Sequence, residues 1–250
     1  MPVALITGAS TGIGNALARE LARRGWAVGI VARRGELLEA LAQEIRAAGG
    51  KAAWATADVT DRGAIRTAAL QVATELGPID LLVANAGVGS PGNAKRLPVD
   101  VWIATLRLNV DGVIYSVGAV LPEMLERKSG HLAVVSSVAG FRGLPASAAY
   151  SASKAAITTF FESLRVDLRS EGIAVTAIHP GFIATPLTAK NKAPMPFLIS
   201  AEQAATIIAN GLEKRRSDIT FPWQMKLLMG FARRLPNWVW DRVLGSVKVI

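Results

Sequence analysis

The hydrophobic pattern of the chain alternates between two kinds of segment. Short, nearly continuous apolar runs are separated by longer segments in which apolar residues recur at helical spacing. Continuous apolar runs are typical of strands that are buried on both faces of a parallel sheet. Their alternation with helices is typical of a sheet covered on both sides. The pattern therefore predicts an α/β fold: a single Rossmann-like, doubly wound parallel sheet of about seven strands flanked by helices.

The element boundaries follow from the same pattern. Apolar runs predict strands over 3–6, 27–31, 52–56, 81–84, 131–136 and 173–178, with a weaker seventh strand over 218–221. Helical spacing predicts helices over 14–24, 35–48, 62–75, 99–127 (two in succession), 148–170 and 201–214. Glycines follow several of these helices, where a residue with positive φ commonly ends a helix: Gly25, Gly49, Gly77 and Gly172. Residues 1–222 are expected to form one catalytic and cofactor-binding domain, and residues 223–250 a helical extension that is interrupted at Pro236.

Composition narrows the class of protein. The 250 residues suit one domain, and 51% of them are hydrophobic, which excludes a disordered chain. Because cysteine is absent, disulfides, thiolate zinc sites and cysteine nucleophiles are excluded, and no metal site is expected. The N-terminus shows no secretory signal, and no apolar run approaches the roughly 18 residues of a spanning helix. We expect a cytoplasmic location, and peripheral contact with a membrane stays open as an alternative.

The net charge of +9 is concentrated toward the C-terminus. Residues 213–250 contain eight Lys/Arg and three Asp/Glu, and therefore carry +5 of the total. A basic surface raises the question of nucleic-acid binding. Zinc-finger, basic-zipper and RNA-binding signatures are absent from the sequence, so no nucleic-acid partner is expected.

A glycine-rich turn follows the first predicted strand. Thr7-Gly8-Ala9-Ser10-Thr11-Gly12-Ile13-Gly14 leads directly into a helix. Free backbone N–H groups and the helix dipole attract an anion at such a turn, and glycines let the backbone approach it closely. The turn alone therefore predicts a phosphate site, with a simple tight turn as the alternative.

The spacing TGxxxGxG differs from the common GxGxxG and resembles that of the short-chain dehydrogenase/reductase family. Further motifs match this family in order over residues 3–215, including the Asn85-Ala86-Gly87 turn after the fourth strand. The resemblance implies a Rossmann-like oxidoreductase that binds a nicotinamide cofactor. It implies these cofactor-binding residues: Gly8, Ser10, Thr11, Gly12, Ile13, Gly14, Arg33, Arg34, Asp58, Val59, Asn85, Ala86, Gly87, Tyr150, Lys154, Pro180, Gly181, Ile183 and Thr185. In the family, the residue at Asp58 contacts adenine, and the residue at Thr185 binds the nicotinamide carboxamide.

The residues after the second strand predict which cofactor is preferred. NAD-preferring dinucleotide folds place an acidic residue here, on the ribose 2′-hydroxyl. This chain instead has Arg33 and Arg34, and its first carboxylate is Glu36. An arginine can bind a 2′-phosphate through charge-assisted hydrogen bonds, each contributing about 1.5–3 kcal/mol. NADP(H) is therefore expected to be preferred over NAD(H), although Thr11 stands where many NADP-preferring relatives carry a basic residue.

Candidate catalytic residues lie on and near the sixth predicted helix, 148–170. Tyr150 and Lys154 are four residues apart and therefore share a helix face. A lysine ammonium, together with a cationic nicotinamide, is expected to lower the Tyr150 pKa from its reference value of about 10. Tyr150 would then act as a general acid in reduction and as a base in oxidation. The family resemblance adds Ser137 for binding the carbonyl oxygen and Asn109 for holding a water that leads to Lys154.

The substrate and the two histidines are less constrained by the sequence. The expected pocket walls are apolar and suit a hydrophobic carbonyl or alcohol: Val88, Val138, Phe141, Phe182, Met195 and Phe197. Residues 185–200, rich in proline, methionine and phenylalanine, are expected to form a loop or short helix that covers another part of the protein. His131 and His179 flank strands without an evident carboxylate partner, so they are expected to be structural.

The tail carries an apolar stripe of helical spacing. Its members are Trp223, Leu227, Leu228, Phe231 and Leu235, with Lys226, Arg233 and Arg234 nearer the edges and Trp238 and Trp240 after Pro236. Such a stripe fits packing on a neighbouring subunit, a membrane interface or a cover on its own domain. The family resemblance implies a homodimer or homotetramer held by the helices near 110–127 and 148–170.

Two other functions compete with a reductase. A sensor or scaffold that binds NADPH without turnover would be expected to lack Tyr150 or Lys154, and both are present. An epimerase or dehydratase on the same fold generally has a larger substrate-binding region after the sixth strand, whereas about 70 residues remain here.

Overall fold

The computed structural model describes residues 1–89, 92–189, 191 and 194–245, and within these ranges the chain forms one seven-stranded parallel sheet. Its strands are β1 (Val3–Thr7), β2 (Ala27–Ala32), β3 (Lys51–Thr56), β4 (Leu81–Ala84), β5 (Gly130–Val135), β6 (Ile173–Pro180) and β9 (Asp218–Phe221). A small separate pair consists of β7 (Ile183–Ala184) and β8 (Ile199–Ser200). The doubly wound fold predicted from the hydrophobic pattern is confirmed, including the weak seventh strand.

Helices cover both faces of the sheet. They are α1 (Gly12–Arg23), α2 (Gly35–Ala47), α3 (Arg62–Leu76), α4 (Val99–Leu106), α5 (Gly112–Arg127), α6 (Ala148–Asp167), α7 (Ala201–Glu213), α8 (Trp223–Ala232) and α9 (Asn237–Gly245). One apolar cluster joins the sheet to α1, α2 and α7, and a second joins its other face to α3, α5 and α6. The strands are buried from both sides, which explains their continuous apolar sequences.

Local signals fix several helix ends. Asp61 begins α3 by accepting hydrogen bonds from the N–H groups of Gly63 and Ala64. Ser200 and Gln203 form a capping box at the start of α7. The four glycines predicted to follow helices all have positive φ, from +70° to +104°. These short-range contacts explain why the predicted boundaries lie within a few residues of the observed ones.

The strand order positions the site. The sheet runs β3-β2-β1-β4-β5-β6-β9, so the chain reverses its direction of winding between β1 and β4. In doubly wound sheets a crevice opens at the carboxyl ends of the strands at this reversal, and ligands bind there. The turn after β1 and the turn after β4 therefore meet at one edge of the sheet.

The sequence predicted that no apolar segment is long enough to span a membrane. Judged by length and composition alone, this prediction is wrong. The continuous helical segment Val99–Arg127 is long and apolar enough to pass that test. Its Val113, Val117, Val120 and Met124 are nevertheless buried in the second apolar cluster. Packing against the sheet accounts for the apolar character of this buried face, while other apolar side chains of the segment are exposed.

Candidate active site

The glycine-rich turn packs closely against the turn after β4. Gly8 and Gly12 have φ of +67° and +63°, the left-handed region that glycine favours. A Cβ atom on Gly8 would lie 2.7 Å from the Cα atom of Ala86, and one on Gly14 would lie 2.5 Å from Asn85 Nδ2. Side chains at these two positions would therefore push the two turns apart.

The N-terminus of α1 fits an anionic group. Thr11 occupies the N-cap position, and within the described residues no side chain caps this helix end. The first turn also contains no acidic residue. The N–H groups there have no partner within the helix and, with the helix dipole, favour negative charge. The glycines let the backbone approach a ligand closely, and the N–H groups of the first turn of α1 can donate to it. Together they fit the phosphates of a dinucleotide.

Thr7 joins the two turns. Its hydroxyl accepts hydrogen bonds from the backbone N–H groups of Asn85 and Ala86, each at 3.1 Å. The Asn85 side chain donates in return to the Thr7 carbonyl at 2.9 Å. Thr7 was not among the predicted site residues, although its place at the end of β1 was a signal that could have identified it. It holds the crevice in shape.

The two arginines after β2 have different surroundings. Arg34 Nη2 donates to Ser10 Oγ at 2.9 Å and to Thr11 Oγ1 at 3.2 Å, so its guanidinium lies at the glycine-rich turn. Arg33 Nη1 lies 3.7 Å from Asp58 Oδ2, and the Arg33 side chain is 71% exposed. Arg34 is therefore the better placed of the two for a ligand held by the turn.

Asp58 and Val59 lie beside this corner of the crevice. A backbone hydrogen bond from Thr60 is the largest cause that holds the Asp58 pKa below its usual value, against the opposing effect of burial. The Val59 side chain is buried, and a Cβ atom on Gly112 would lie 2.6 Å from it. Val59 therefore packs in the core through its side chain, and a contact with the cofactor stays a prediction.

The structure brings Ser137, Tyr150 and Lys154 together. Ser137 follows β5, while Tyr150 and Lys154 lie on one face of α6. Ser137 lies close enough to Tyr150 for its hydroxyl to lower the pKa of the phenol. The Lys154 ammonium lies 5.7 Å from the centroid of the Tyr150 ring. Three side chains separated along the sequence thus form one cluster at the carboxyl end of β5.

The predicted direction of the Tyr150 pKa is wrong for the protein alone. Burial raises this pKa, and the Ser137 hydroxyl only partly opposes the effect. Burial also lowers the Lys154 pKa to about 8. Lys154 Nζ donates to the Val135 carbonyl at 2.8 Å and lies over the ring of Tyr150. Loss of hydration therefore outweighs the attraction that sequence spacing suggested.

Asn109 connects the site to the turn after β4. It is fully buried in a π-helical turn, Arg107–Asp111, between α4 and α5. Its amide accepts from the Val88 N–H at 2.9 Å and donates to the Val88 carbonyl at 3.0 Å and to Ser153 Oγ at 2.9 Å. Ser153 lies on α6 between Tyr150 and Lys154. The Asn109 side chain thus holds this helix in place, and its role toward a water stays a prediction.

The segment after β6 closes over the same crevice. The Pro180 carbonyl accepts a 3.4 Å hydrogen bond from Ser137 Oγ. Gly181 N–H donates to the Phe221 carbonyl at 2.7 Å, and Ile183 is buried in β7. A Cβ atom on Gly12 would lie 3.3 Å from the Thr185 methyl group. The predicted residues of this segment therefore lie between the glycine-rich turn and Ser137.

Part of the apolar wall predicted for the substrate pocket packs against helix α8 of the tail. Val138, Phe141 and Phe182 form a third apolar cluster with Met225 and Met229 of α8. By contrast, Met195 and Phe197 are half-buried and exposed, respectively, and Val88 is half-buried at the turn after β4. The methionines were missed because sequence spacing emphasised the opposite face of α8.

The expectation that His179 has no carboxylate partner is wrong. Its Nε2 lies 3.1 Å from Asp218 Oδ2, because β9 pairs directly with β6. His131 Nε2 lies 2.7 Å from Thr176 Oγ1, and burial, followed by the charge of Arg215, lowers the His131 pKa to about 4. A cavity of about 210 Å³ borders His179 and Asp218, but none of the candidate catalytic residues lines it.

Comparison with a protein-family model matches residues 2–196 to the family described as short chain dehydrogenase. An uncharacterised oxidoreductase of Myxococcus xanthus is 48% identical over 238 residues, covering 95% of this chain and 94% of that protein.

Solved structures show the same fold. A 3-ketoacyl-ACP reductase from Sinorhizobium meliloti has a TM-score of 0.83 and 31% identity, covering 91% of this chain and 100% of that one. A variant of the actinorhodin polyketide ketoreductase, crystallised with NADPH, has a TM-score of 0.80 and 30% identity, covering 88% of this chain and 94% of that one.

Proposed function

Because the chain belongs to the short-chain dehydrogenase/reductase family, we propose that it is an NADP(H)-dependent oxidoreductase that interconverts a hydrophobic carbonyl compound and the corresponding secondary alcohol. The family binds a nicotinamide cofactor and acts on small carbonyl or alcohol substrates. The observation that carries the proposal is the meeting of Ser137, Tyr150 and Lys154 beside a turn suited to phosphate.

Each side chain in the cluster has a distinct task in this proposal. The cofactor, when bound, supplies the hydride for reduction. Tyr150 donates a proton to the substrate oxygen, and the Ser137 hydroxyl holds that oxygen as negative charge develops on it. Lys154 lies next to the Tyr150 ring and would also contact the nicotinamide ribose. Asn109 positions α6, on which both Tyr150 and Lys154 lie.

The raised Tyr150 pKa determines which form of the phenol is present in the protein alone. A buried phenol with a pKa above its reference value keeps its proton at neutral pH. It is then ready to act as an acid, whereas oxidation of an alcohol requires the phenolate as a base. The protonated phenol is the form of Tyr150 that carbonyl reduction requires.

Arg34 supports the choice of NADP(H). Its guanidinium lies at Ser10 and Thr11, at the end of the crevice where the glycine-rich turn would hold the adenosine side of the cofactor. Along the chain after β2, the first carboxylate that could bind a ribose 2′-hydroxyl is Glu36. A 2′-phosphate, by contrast, would form charge-assisted hydrogen bonds with this guanidinium.

The apolar wall supports a hydrophobic substrate. Val138 directly follows Ser137, and Phe141 and Phe182 pack beside it. The relatives named for ketoreductase and 3-ketoacyl reductase activity indicate the class of substrate to test first. For assembly we propose a homodimer or homotetramer through α5 and α6, which expose apolar side chains such as Ile114, Leu125 and Val166.

The test is NADPH consumption with a panel of carbonyl compounds, from small diketones to long-chain 3-keto compounds. We expect turnover with apolar ketones, faster with NADPH than with NADH, and near-complete loss in Tyr150→Phe. Binding of NADPH without turnover of any compound would instead support a sensor or scaffold. Absence of nicotinamide binding would contradict the proposal altogether.

A further inference from the structure

Helices α8 and α9 are fixed firmly to the domain by one of their faces. Met225, Met229 and Ala232 are buried in the third apolar cluster. Arg142 Nη1 donates to the Ala232 carbonyl at 2.8 Å, and Trp240 Nε1 donates to the Gly143 carbonyl at 3.1 Å. The Arg142 guanidinium also lies 5.0 Å from the centre of the Trp240 ring. The inner face therefore covers the domain, and α8 keeps a fixed outer face.

The outer face of α8 is apolar and exposed. Trp223, Leu227 and Phe231 follow one another at four-residue spacing and therefore lie along one side of the helix. Their exposed fractions are 67%, 64% and 66%, and the neighbouring Leu228 is 50% exposed. Trp238 of α9 is 70% exposed. Adjacent apolar groups of this size mark an interaction surface more often than isolated exposed side chains do.

Basic side chains border this surface. Residues 222–245 contain four cations (Lys226, Arg233, Arg234 and Arg242) and one carboxylate, Asp241. All four cations are exposed. Trp, Phe and Leu on one face with Lys and Arg at its border are the composition of helices that lie in the interface of an anionic membrane.

A second copy of the chain fits this surface poorly. A two-fold interface places the same patch of each subunit against itself. The Lys226, Arg233 and Arg234 side chains of two copies would then lie near one another, with like charges opposed. An anionic lipid surface instead accepts the apolar side chains and pairs its headgroups with the cations.

We propose that the outer face of α8, continued by Trp238 of α9, binds the interface of a bilayer containing anionic lipid. Trp223, Leu227, Phe231 and Trp238 enter the boundary between headgroups and acyl chains, and the four cations bind lipid phosphates. The inner face of the same helix packs on Val138, Phe141 and Phe182. Membrane binding therefore brings the apolar side of the candidate active site close to the lipid.

The first experiment measures sedimentation of the full chain with vesicles of phosphatidylcholine alone or mixed with phosphatidylglycerol. We expect binding to the anionic vesicles that weakens as salt is added, and little binding to the neutral ones. Tryptophan fluorescence should shift to shorter wavelength with anionic vesicles. Equal binding to both compositions, or no binding to either, would overturn the proposal.

Paired variants identify the surface. Leu227→Gln/Phe231→Gln should weaken vesicle binding by at least about tenfold, because two exposed apolar groups are lost. Leu70→Gln, at an exposed apolar position on α3, is its control and should leave binding unchanged. Lys226→Gln/Arg233→Gln/Arg234→Gln should also weaken binding. Its control, Lys214→Gln/Arg215→Gln/Arg216→Gln, removes the same charge from the end of α7 and should have a much smaller effect.

Two further measurements keep the result interpretable. Thermal unfolding and NADPH affinity should match those of the native chain in every variant, because all the altered side chains are exposed. Light scattering in the absence of lipid should give the same mass for the native chain and the Leu227→Gln/Phe231→Gln variant. A lower mass in that variant would assign the surface to a second copy and refute the membrane proposal.

Discussion

Replacing Arg34 with alanine should remove most of the proposed preference for NADPH over NADH. The Arg34 guanidinium is held at the glycine-rich turn by hydrogen bonds to Ser10 and Thr11, so it is already placed for a 2′-phosphate. A hydrogen bond to a charged group contributes about 1.5–3 kcal/mol, and 1.4 kcal/mol corresponds to about tenfold in affinity. Because Arg34 is exposed, solvent screening favours the lower end, or about tenfold.

The assay is a titration of intrinsic tryptophan fluorescence with each cofactor at fixed ionic strength. The quantity of interest is the ratio of the NADH and NADPH dissociation constants. Arg33→Ala is the matched control, since Arg33 is exposed and lies toward Asp58, and its ratio should change by less than about threefold. Arg33→Ala/Arg34→Asp should remove or invert the preference, because the new carboxylate would repel a phosphate and accept hydrogen bonds from a ribose hydroxyl.

Two results would refute this reasoning. Equal affinity of the native chain for both cofactors would show that neither arginine selects NADPH. Equal weakening of both cofactors by Arg34→Ala would show that Arg34 stabilises the glycine-rich turn and does not contact the 2′-phosphate.

Three further predictions follow from the candidate site and the core. Tyr150→Phe should lower turnover by about 10²–10⁴-fold while NADPH affinity stays within a few-fold, since only a proton donor is lost; retention of a tenth of the activity would exclude Tyr150 as the acid. Asn109→Ala should lower both turnover and thermal stability, because Val88 and Ser153 lose their shared partner, and unchanged kinetics would exclude a positioning role. The His131 pKa of about 4 lies below its unfolded value, so the native chain should lose about 2 kcal/mol between pH 6.5 and pH 5, and unfolding of His131→Asn should lack that loss.

The direction of the predicted change in stability with pH follows from which state binds the proton. In this range the unfolded chain binds a proton at His131 and the folded chain does not, so stability falls as the pH falls. Urea unfolding of both proteins at the two pH values measures the effect. An equal loss in the native chain and in His131→Asn would place its origin in other groups.

The sequence by itself determined the fold and predicted the clustered side chains of the candidate site, although it missed Thr7 and the methionines of α8. Continuous apolar runs indicate strands buried on both faces, and glycines indicate where helices end; both signals are local in sequence. The weak strand 218–221 appears with the predicted boundaries. Because the turns after parallel strands meet at one sheet edge, Ser137, Tyr150 and Lys154 could be expected to cluster from their order along the chain.

Tertiary structure alone decided how these groups affect one another. Spacing on α6 brings Lys154 near Tyr150, but burial sets the direction of the Tyr150 pKa, and burial depends on elements distant in sequence. The pairing of His179 with Asp218 likewise required β9 to lie beside β6. In the tail, sequence periodicity identified an apolar stripe but not what the stripe contacts. Met225 and Met229 on the opposite face of α8 pack against the domain, and the stripe is therefore exposed. Sequence periodicity specifies which residues share a face, and only the packed chain specifies what that face meets.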